Sequence, residues 1–183
     1  RRSLLTGLSM TGGYMLFVLG YSLLEGSYGN IIDIFTLDST GHIQIHQDDY
    51  LDRPKIYKTI QDRDQVEVAL TDDPEVKGFT SRVFSPALAY SGDKTAPSRL
   101  IGVDADLEPK VSRLLQKVSK GTYFSSLRNS DGYFEAMIGQ GLHVTLKLDV
   151  GDEIVLISSG ADGSIANDIF VISAIIGNKT SFD

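Results

Sequence analysis

The sequence has no cysteine and no tryptophan, and only five prolines and three histidines in 183 residues. Without cysteine, no disulfide framework and no thiolate metal site can form. That absence fits either side of a membrane and fixes no compartment. Positive charge is also scarce: 17 Lys+Arg stand against 24 Asp+Glu, for a net charge of −7. A nucleic-acid binder would normally carry a basic face, so that class is set aside. A hydrophobic fraction of 42% with 22% charged residues of both signs excludes a disordered tail. The length suits one domain, with room for two lobes.

What is present is unevenly placed. From Ser3 to Leu24 there is no charged residue, a run of 22, against the roughly 20 residues a helix needs to cross a bilayer. The run follows Arg1 and Arg2, and the first acid is Glu25. The positive-inside tendency then puts the N-terminus in the cytoplasm and everything after Glu25 outside. Without Arg1 and Arg2 the remainder holds 15 basic and 24 acidic residues, a charge of −9. The run is diluted by small residues. Ser9, Gly13, Gly20 and Ser27 follow at spacings of four, seven and seven, one stripe of a helix, suited to close approach of a second helix. Tyr28 is placed for the outer interface. Two other readings stay open: an export signal, since Arg1-Arg2-Ser3-Leu4-Leu5 resembles a twin-arginine signal although no Ala-x-Ala cleavage site follows, and a buried helix of a soluble protein.

Beyond the span the pattern is α+β with short connections. Gly29–Leu37 extends the first helix and then breaks. Gly41–Gln47 alternates polar and apolar residues, which predicts a half-buried strand. Asp48-Asp49-Tyr50 and Arg53-Pro54 predict a turn. Asp64–Asp72 predicts a short helix burying Val66, Ala69 and Leu70, stopped by Asp73-Pro74. Val76–Tyr90 is expected extended, with Pro86 at an edge or bend. Gly92-Asp93 and Ala96-Pro97 are expected in a loop, and Arg99–Val103 in a strand. Leu107, Val111, Leu114, Leu115 and Val118 form an apolar stripe at helical period, with Lys110, Arg113, Lys117 and Lys120 on the wet side and Gly121 as the stop. Asp152–Ser158 and Ile169–Ile176 read as strands joined by a turn at Gly160–Ser164, the second apolar on both faces and hence central.

Catalytic constellations are thin. His42 and His46 stand about 13 Å apart in a strand at ~3.3 Å per residue, sharing a solvated face with Gln44. His143 is isolated. Gly177-Asn178-Lys179-Thr180 lacks the Gly-Lys pair of a phosphate loop, and no Gly-x-Ser-x-Gly elbow occurs. Asp48-Asp49, Asp72-Asp73 and Asp104 with Asp106 lack the Gly and Glu spacing of a calcium loop and read as turn formers. No catalytic residue, cofactor site or metal site is expected.

Four phrases in order carry a resemblance: Gly41-His42-Ile43-Gln44-Ile45-His46 with Tyr50; Ile101-Gly102-Val103-Asp104, an amphipathic stretch, then Lys120-Gly121-Thr122-Tyr123-Phe124; Ile138-Gly139-Gln140-Gly141-Leu142 with Leu146–Asp152; and Phe170-Val171-Ile172 running into Ile175-Ile176-Gly177. Together they cover nearly the whole chain, which resembles the first membrane helix and periplasmic core domain of FtsX/MacB-type ABC transporter permeases, closest to the lipoprotein-releasing branch. His143 departs from the small residue usual there. Leu142–Leu148 alternates like a strand, whereas the resemblance implies a short helix, and the helix is adopted.

The resemblance implies a membrane helix over 1–28, with a cytoplasmic N-terminus, and a periplasmic core domain over 29–183. It implies a piece of a longer permease in the bacterial inner membrane, not an enzyme itself. Such a subunit couples ATP hydrolysis to release or export of a lipoprotein or other amphiphile at the outer leaflet. The implied partners are a cytoplasmic ATPase subunit that binds the ATP, a second permease subunit, and a periplasmic chaperone or adaptor. Ser9, Gly13 and Gly20 are the helix-packing candidates. Two alternatives remain: a transducer regulating cell-wall hydrolases, and an exported enzyme behind a signal peptide.

Overall fold

The structure, a computed structural model, describes residues 1–177. They divide into two compact units, Arg1–Ile43 and the unit that begins at Gln44. The first unit is dominated by one helix, α1 (Arg2–Phe35, 34 residues), so the expected boundary at 28/29 falls inside it. It closes in a π-helical turn, Thr36–Thr40, where the Gly41 N–H reaches Thr36 O and Gly41 takes φ 67°. A side chain is strained at that φ, so glycine suits the exit from the helix.

The second unit is a mixed helix and sheet domain. Its elements are α2 (Arg63–Asp72), β1 (Arg82–Ser91), β2 (Lys94–Val103), α3 (Glu108–Val111), a 3-10 turn (Leu114–Lys117), β3 (Val118–Gly121), β4 (Phe134–Gly139), α4 (Gln140–Leu146), β5 (Glu153–Ser159) and β6 (Ile165–Ile176). The sheet order is β2-β1-β5-β6-β3, with β4 parallel to β6 and the other pairings antiparallel. β6 therefore has three strand partners. Its Ile172, Ser173, Ala174 and Ile175 are consecutively buried, as a strand covered on both faces requires. The core joins Ile154, Ile172 and Ile175 to Ala89, Ala96 and Ile138, and α4 with the turn after it adds Leu146 and Leu148. Lys147 closes α4 in the left-handed conformation, φ 58°.

Several expectations hold. The helix at 64–72, the strand at 152–158 and the turn at 160–164 are present within a residue or two, and the strands at 99–103 and 169–176 are present but begin earlier, at Lys94 and Ile165. β6 is central. α4 settles 142–148 in favour of helix up to Leu146. On α2, Val66 and Leu70 are half-buried while Ala69 is exposed.

Four others need correction. Gly41–Gln47 is not a strand: it has no strand partner among the described residues, and Ile43 is 85% exposed. Alternation alone cannot make a strand where no sheet offers a ladder. The amphipathic helix at 107–118 is broken. One turn of α3 ends at Ser112, which is extended at φ −126°, ψ 165°; a 3-10 turn follows, and Val118 pairs with Ile176 as the start of β3. Pairing with the central strand overrides helical period there, and Gly121 ends a strand instead of a helix. Val76–Ser81 is irregular, with β1 starting at Arg82. Pro86 lies in an internal strand, but the ladder to β5 begins only at Ala87, so its missing N–H is not needed in that ladder. The Pro86 carbonyl accepts from Ser158 Oγ at 2.9 Å. Ala96-Pro97 lies in β2, an edge strand that tolerates proline.

Gly121 has φ +88°, and a Cβ there would stand 2.2 Å from Ser173 O and 3.0 Å from Ala174 Cα. Gly151 has φ +96° with open space around it. Gly121→Ala is therefore expected to cost about 3 kcal/mol or more and Gly151→Ala roughly 1 kcal/mol, read from denaturant midpoints. Equal effects would mean that β3 does not pack against β6 as described.

Candidate functional site

Two features stand out: the α1 surface and a polar cluster beside the sheet. At 1.5 Å rise per residue the 34 residues of α1 make a rod of about 51 Å, longer than the ~30 Å hydrocarbon core of a bilayer. Residues 2–32 are long and apolar enough to cross a membrane. Leu4, Leu8, Met10, Leu16, Phe17 and Val18 are all exposed in the chain alone, and at about 100° per residue they are spread around the helix circumference. An apolar rod of this kind demands lipid or other helices around it. Four of its hydroxyls are satisfied internally: Thr6, Ser9, Thr11 and Ser27 each donate to the carbonyl four residues back, at 2.7–3.0 Å. In hydrocarbon no water could serve them, so this back-bonding lets them enter the bilayer.

The helix-packing candidates Ser9, Gly13 and Gly20 all lie on α1. Nothing approaches within 4 Å of where a Cβ would stand on Gly13 or Gly20. The helix places all three on one stripe, and their role there is taken up below.

The histidines are not gathered. His46 Nε2 lies 3.0 Å from Gln44 Oε1, and its ring stacks on Tyr50 with centroids 5.2 Å apart. His143 on α4 bonds through Nδ1 to Leu148 O at 2.5 Å, tying the helix to the turn after it. Among the described residues no group of three or more His, Cys, Asp or Glu could hold a metal ion. The paired acids act as turn formers. Asp104 Oδ1 accepts from the Asp106 and Leu107 N–H groups, Asp73 Oδ1 from the Glu75 N–H, and Asp49 pairs with Lys58 at 2.5 Å. The bond from Lys120, followed by that from the Val150 N–H, holds the Asp149 carboxyl below its usual range. The phosphate-loop comparison at 177–180 falls outside the described residues apart from Gly177. A shallow apolar hollow of about 360 Å³ on α2 is lined by Asp64, Gln65, Val68 and Ala69, with no convergent polar groups of the sort that fix a small ligand.

The polar cluster was not legible in the sequence. Glu108 on α3 is 2% exposed, a buried carboxylate. Arg82, the first residue of β1, reaches it in a fork, Nε to Oε2 at 3.0 Å and the terminal nitrogen to Oε1 at 2.5 Å. Ser112 Oγ donates to Oε1 at 2.6 Å. One residue earlier, Ser81 Oγ donates to Glu67 of α2, which also pairs with Arg63. Neighbouring residues Ser81 and Arg82 thus tie α2 and α3 to the start of β1. Sequence offers one faint signal, the spacing of four between Glu108 and Ser112.

Tyr123, stacked on Phe124 at 4.5 Å, has a buried hydroxyl without a hydrogen-bond partner, as does Thr80. Burial, then the negative charges of Glu108, Asp104 and Asp106, push the Tyr123 phenol from 10.0 up to about 12. The fold holds the neutral phenol, so its contribution to stability is complete below 10.0 and lost as pH rises towards about 12. An alkaline titration of tyrosinate absorbance should therefore show a late component that disappears in Tyr123→Phe. A Tyr123→Phe curve that keeps the late component would refute the assignment.

A family model described as the MacB-like periplasmic core domain matches residues 3–182, helix and sheet domain together. Two curated relatives share the name "Lipoprotein-releasing system transmembrane protein LolC". The one from Xylella fastidiosa strain Temecula1 is 28% identical over 155 residues, covering 80% of this chain and 36% of the relative. The one from strain 9a5c is 34% identical over 94 residues, covering 51% and 22%. This chain thus aligns with about a third of one relative's length and about a fifth of the other's. With the match running almost end to end, the chain belongs to the MacB-like periplasmic core domain family.

Proposed function

We propose that this chain is the extracytoplasmic core of an ABC transporter permease subunit together with the membrane helix that carries it. The observation that supports this most is that a single family match takes in both α1 and the sheet domain, so the apolar rod and the domain form one module. Arg1 and Arg2 lie on the cytoplasmic side, and the domain, which from Gln44 on holds 15 basic and 21 acidic residues for a charge of −6, lies outside the inner membrane. The chain binds no ATP. A separate cytoplasmic ATPase subunit does so, and a second permease subunit completes the pair.

The mechanical role falls to α1. It contains no proline to break its hydrogen-bond ladder and runs without interruption over 34 residues, which suits it to transmit motion from one end to the other. The open stripe at Ser9, Gly13 and Gly20 is where a neighbouring helix packs, since only small residues let backbones come close in lipid. Lipoprotein, or another amphiphile of the outer leaflet, is the substrate class suggested by the relatives' name. It is passed on to a periplasmic chaperone or adaptor. The chain itself carries out no catalysis.

Affinity capture of the full-length protein from detergent-solubilised membranes should retain an ATPase subunit. Gly13→Leu or Gly20→Leu should leave membrane insertion intact while weakening helix association by on the order of 1 kcal/mol, about fivefold. Capture without any ATPase would contradict the permease reading. Chained cells without lipoprotein mislocalisation on gene deletion would favour a regulator of cell-wall hydrolases, and an N-terminus cleaved near residues 26–30 would favour an exported enzyme.

A further inference from the structure

The segment 104–117 joins β2 to β3, strands separated in the sheet order by β1, β5 and β6. Its regular structure is minimal, four residues of α3 and four of the 3-10 turn, neither with a side-chain bond at its N-cap. Its backbone hydrogen bonds are local. The N–H of Glu108 goes to Asp104 O, of Lys110 to Leu107 O, of Ser112 to Glu108 O and of Gln116 to Arg113 O. Asp104 Oδ1 takes the N–H groups of Asp106 and Leu107, and Ser112 Oγ takes that of Leu114. Among the described residues, the segment's backbone first bonds to the sheet side at Lys117, whose carbonyl accepts from the Gly177 N–H. Apolar anchoring is thin as well: Ala105 is buried, Leu107, Val111 and Leu114 are half-buried, and Leu115 is exposed.

Side chains must therefore hold this segment down, and Glu108 is the best placed. Its carboxylate is enclosed and its charge is met by the Arg82 fork and by Ser112. A buried carboxylate cannot be released by halves, because losing its cation leaves an uncompensated charge out of water. Two further groups favour release. Thr80 and Tyr123 keep buried hydroxyls unpaired, at a cost that water would relieve. The chain just before Thr80 packs on the segment, and Tyr123 feels the segment's charges. The Cβ position of Gly78, two residues before Thr80, is 3.5 Å from Val111 Cγ2, and all three carboxylates acting on the Tyr123 phenol belong to residues 104–108.

We propose that 104–117 is a strap that opens as one unit while the sheet stays folded, with Glu108, Arg82 and Ser112 as its latch. This goes beyond the transport reading and does not depend on it. Native-state hydrogen exchange with mass spectrometry on the full chain in detergent tests it. In the wild type, strap amides should exchange through an opening with weaker denaturant dependence than the amides of β5 and β6. Glu108→Gln should speed strap exchange about tenfold to a hundredfold, with β5 and β6 unchanged, and Ser112→Ala should do so by less. Strap amides that exchange in the wild type only with the whole sheet would overturn the proposal, whether or not Glu108→Gln folds. So would a folded Glu108→Gln in which strap exchange does not rise, or rises only together with that of the sheet.

Discussion

β6 is the strand on which the rest of the domain depends, because β5, β3 and β4 all hydrogen-bond to it and β1 and β2 follow through β5. Its four consecutive buried residues, Ile172 to Ile175, leave no face for water. Everything packed against it must present either apolar side chains or backbone. Ile154 and Ile138 come from flanking strands and Leu146 from α4, while Gly121 brings bare backbone to within a Cβ's reach of Ser173. The same constraint explains why Val118–Gly121 is strand. A segment with helical period was drawn into the ladder because the central strand had an open position beside its last residues.

Legibility in the sequence followed burial. β6 was readable because a strand buried on both faces writes an unbroken apolar run, and the β5–β6 turn because Gly160–Ser164 is dense in turn formers. The candidate membrane helix was readable for a related reason, since an absence of charge over 22 residues matches the length a helix needs to cross a bilayer. Its extension past Glu25 was readable too, because Ile31, Ile32, Ile34 and Phe35 prolong the apolar stretch, and the helix ends at Phe35, close to the break expected after Leu37. The helix at 140–146 could not be taken from pattern, because Leu142, Val144, Leu146 and Leu148 alternate as a strand would. There the family resemblance supplied what periodicity could not.

What stayed hidden was long-range and polar. Glu108 looks like any surface acid until Arg82, 26 residues away, is folded against it. The false strand at 41–47 is the converse case, a local pattern without a sheet partner. The small-residue stripe was readable as a stripe, since spacings of four and seven fix it, and among the described residues nothing approaches within 4 Å of the Cβ positions of Gly13 and Gly20. The two units use polar groups differently. α1 turns four of its hydroxyls back onto its own carbonyls, as entry into lipid would require, whereas the domain relies on the sheet and one buried ion pair.

The central claim is that α1 spans the bilayer with Arg1 and Arg2 inside and the sheet domain outside. The absence of cysteine makes this directly measurable, because any introduced thiol is the only one in the chain. Ser3→Cys lies in the first turn of α1 and Ser164→Cys in the turn between β5 and β6, and both positions are exposed. With a membrane-impermeant maleimide on cells whose outer membrane has been opened, Cys at position 164 should label at once and Cys at position 3 only after lysis. Labelling of both sites, or of neither, before lysis would contradict the topology.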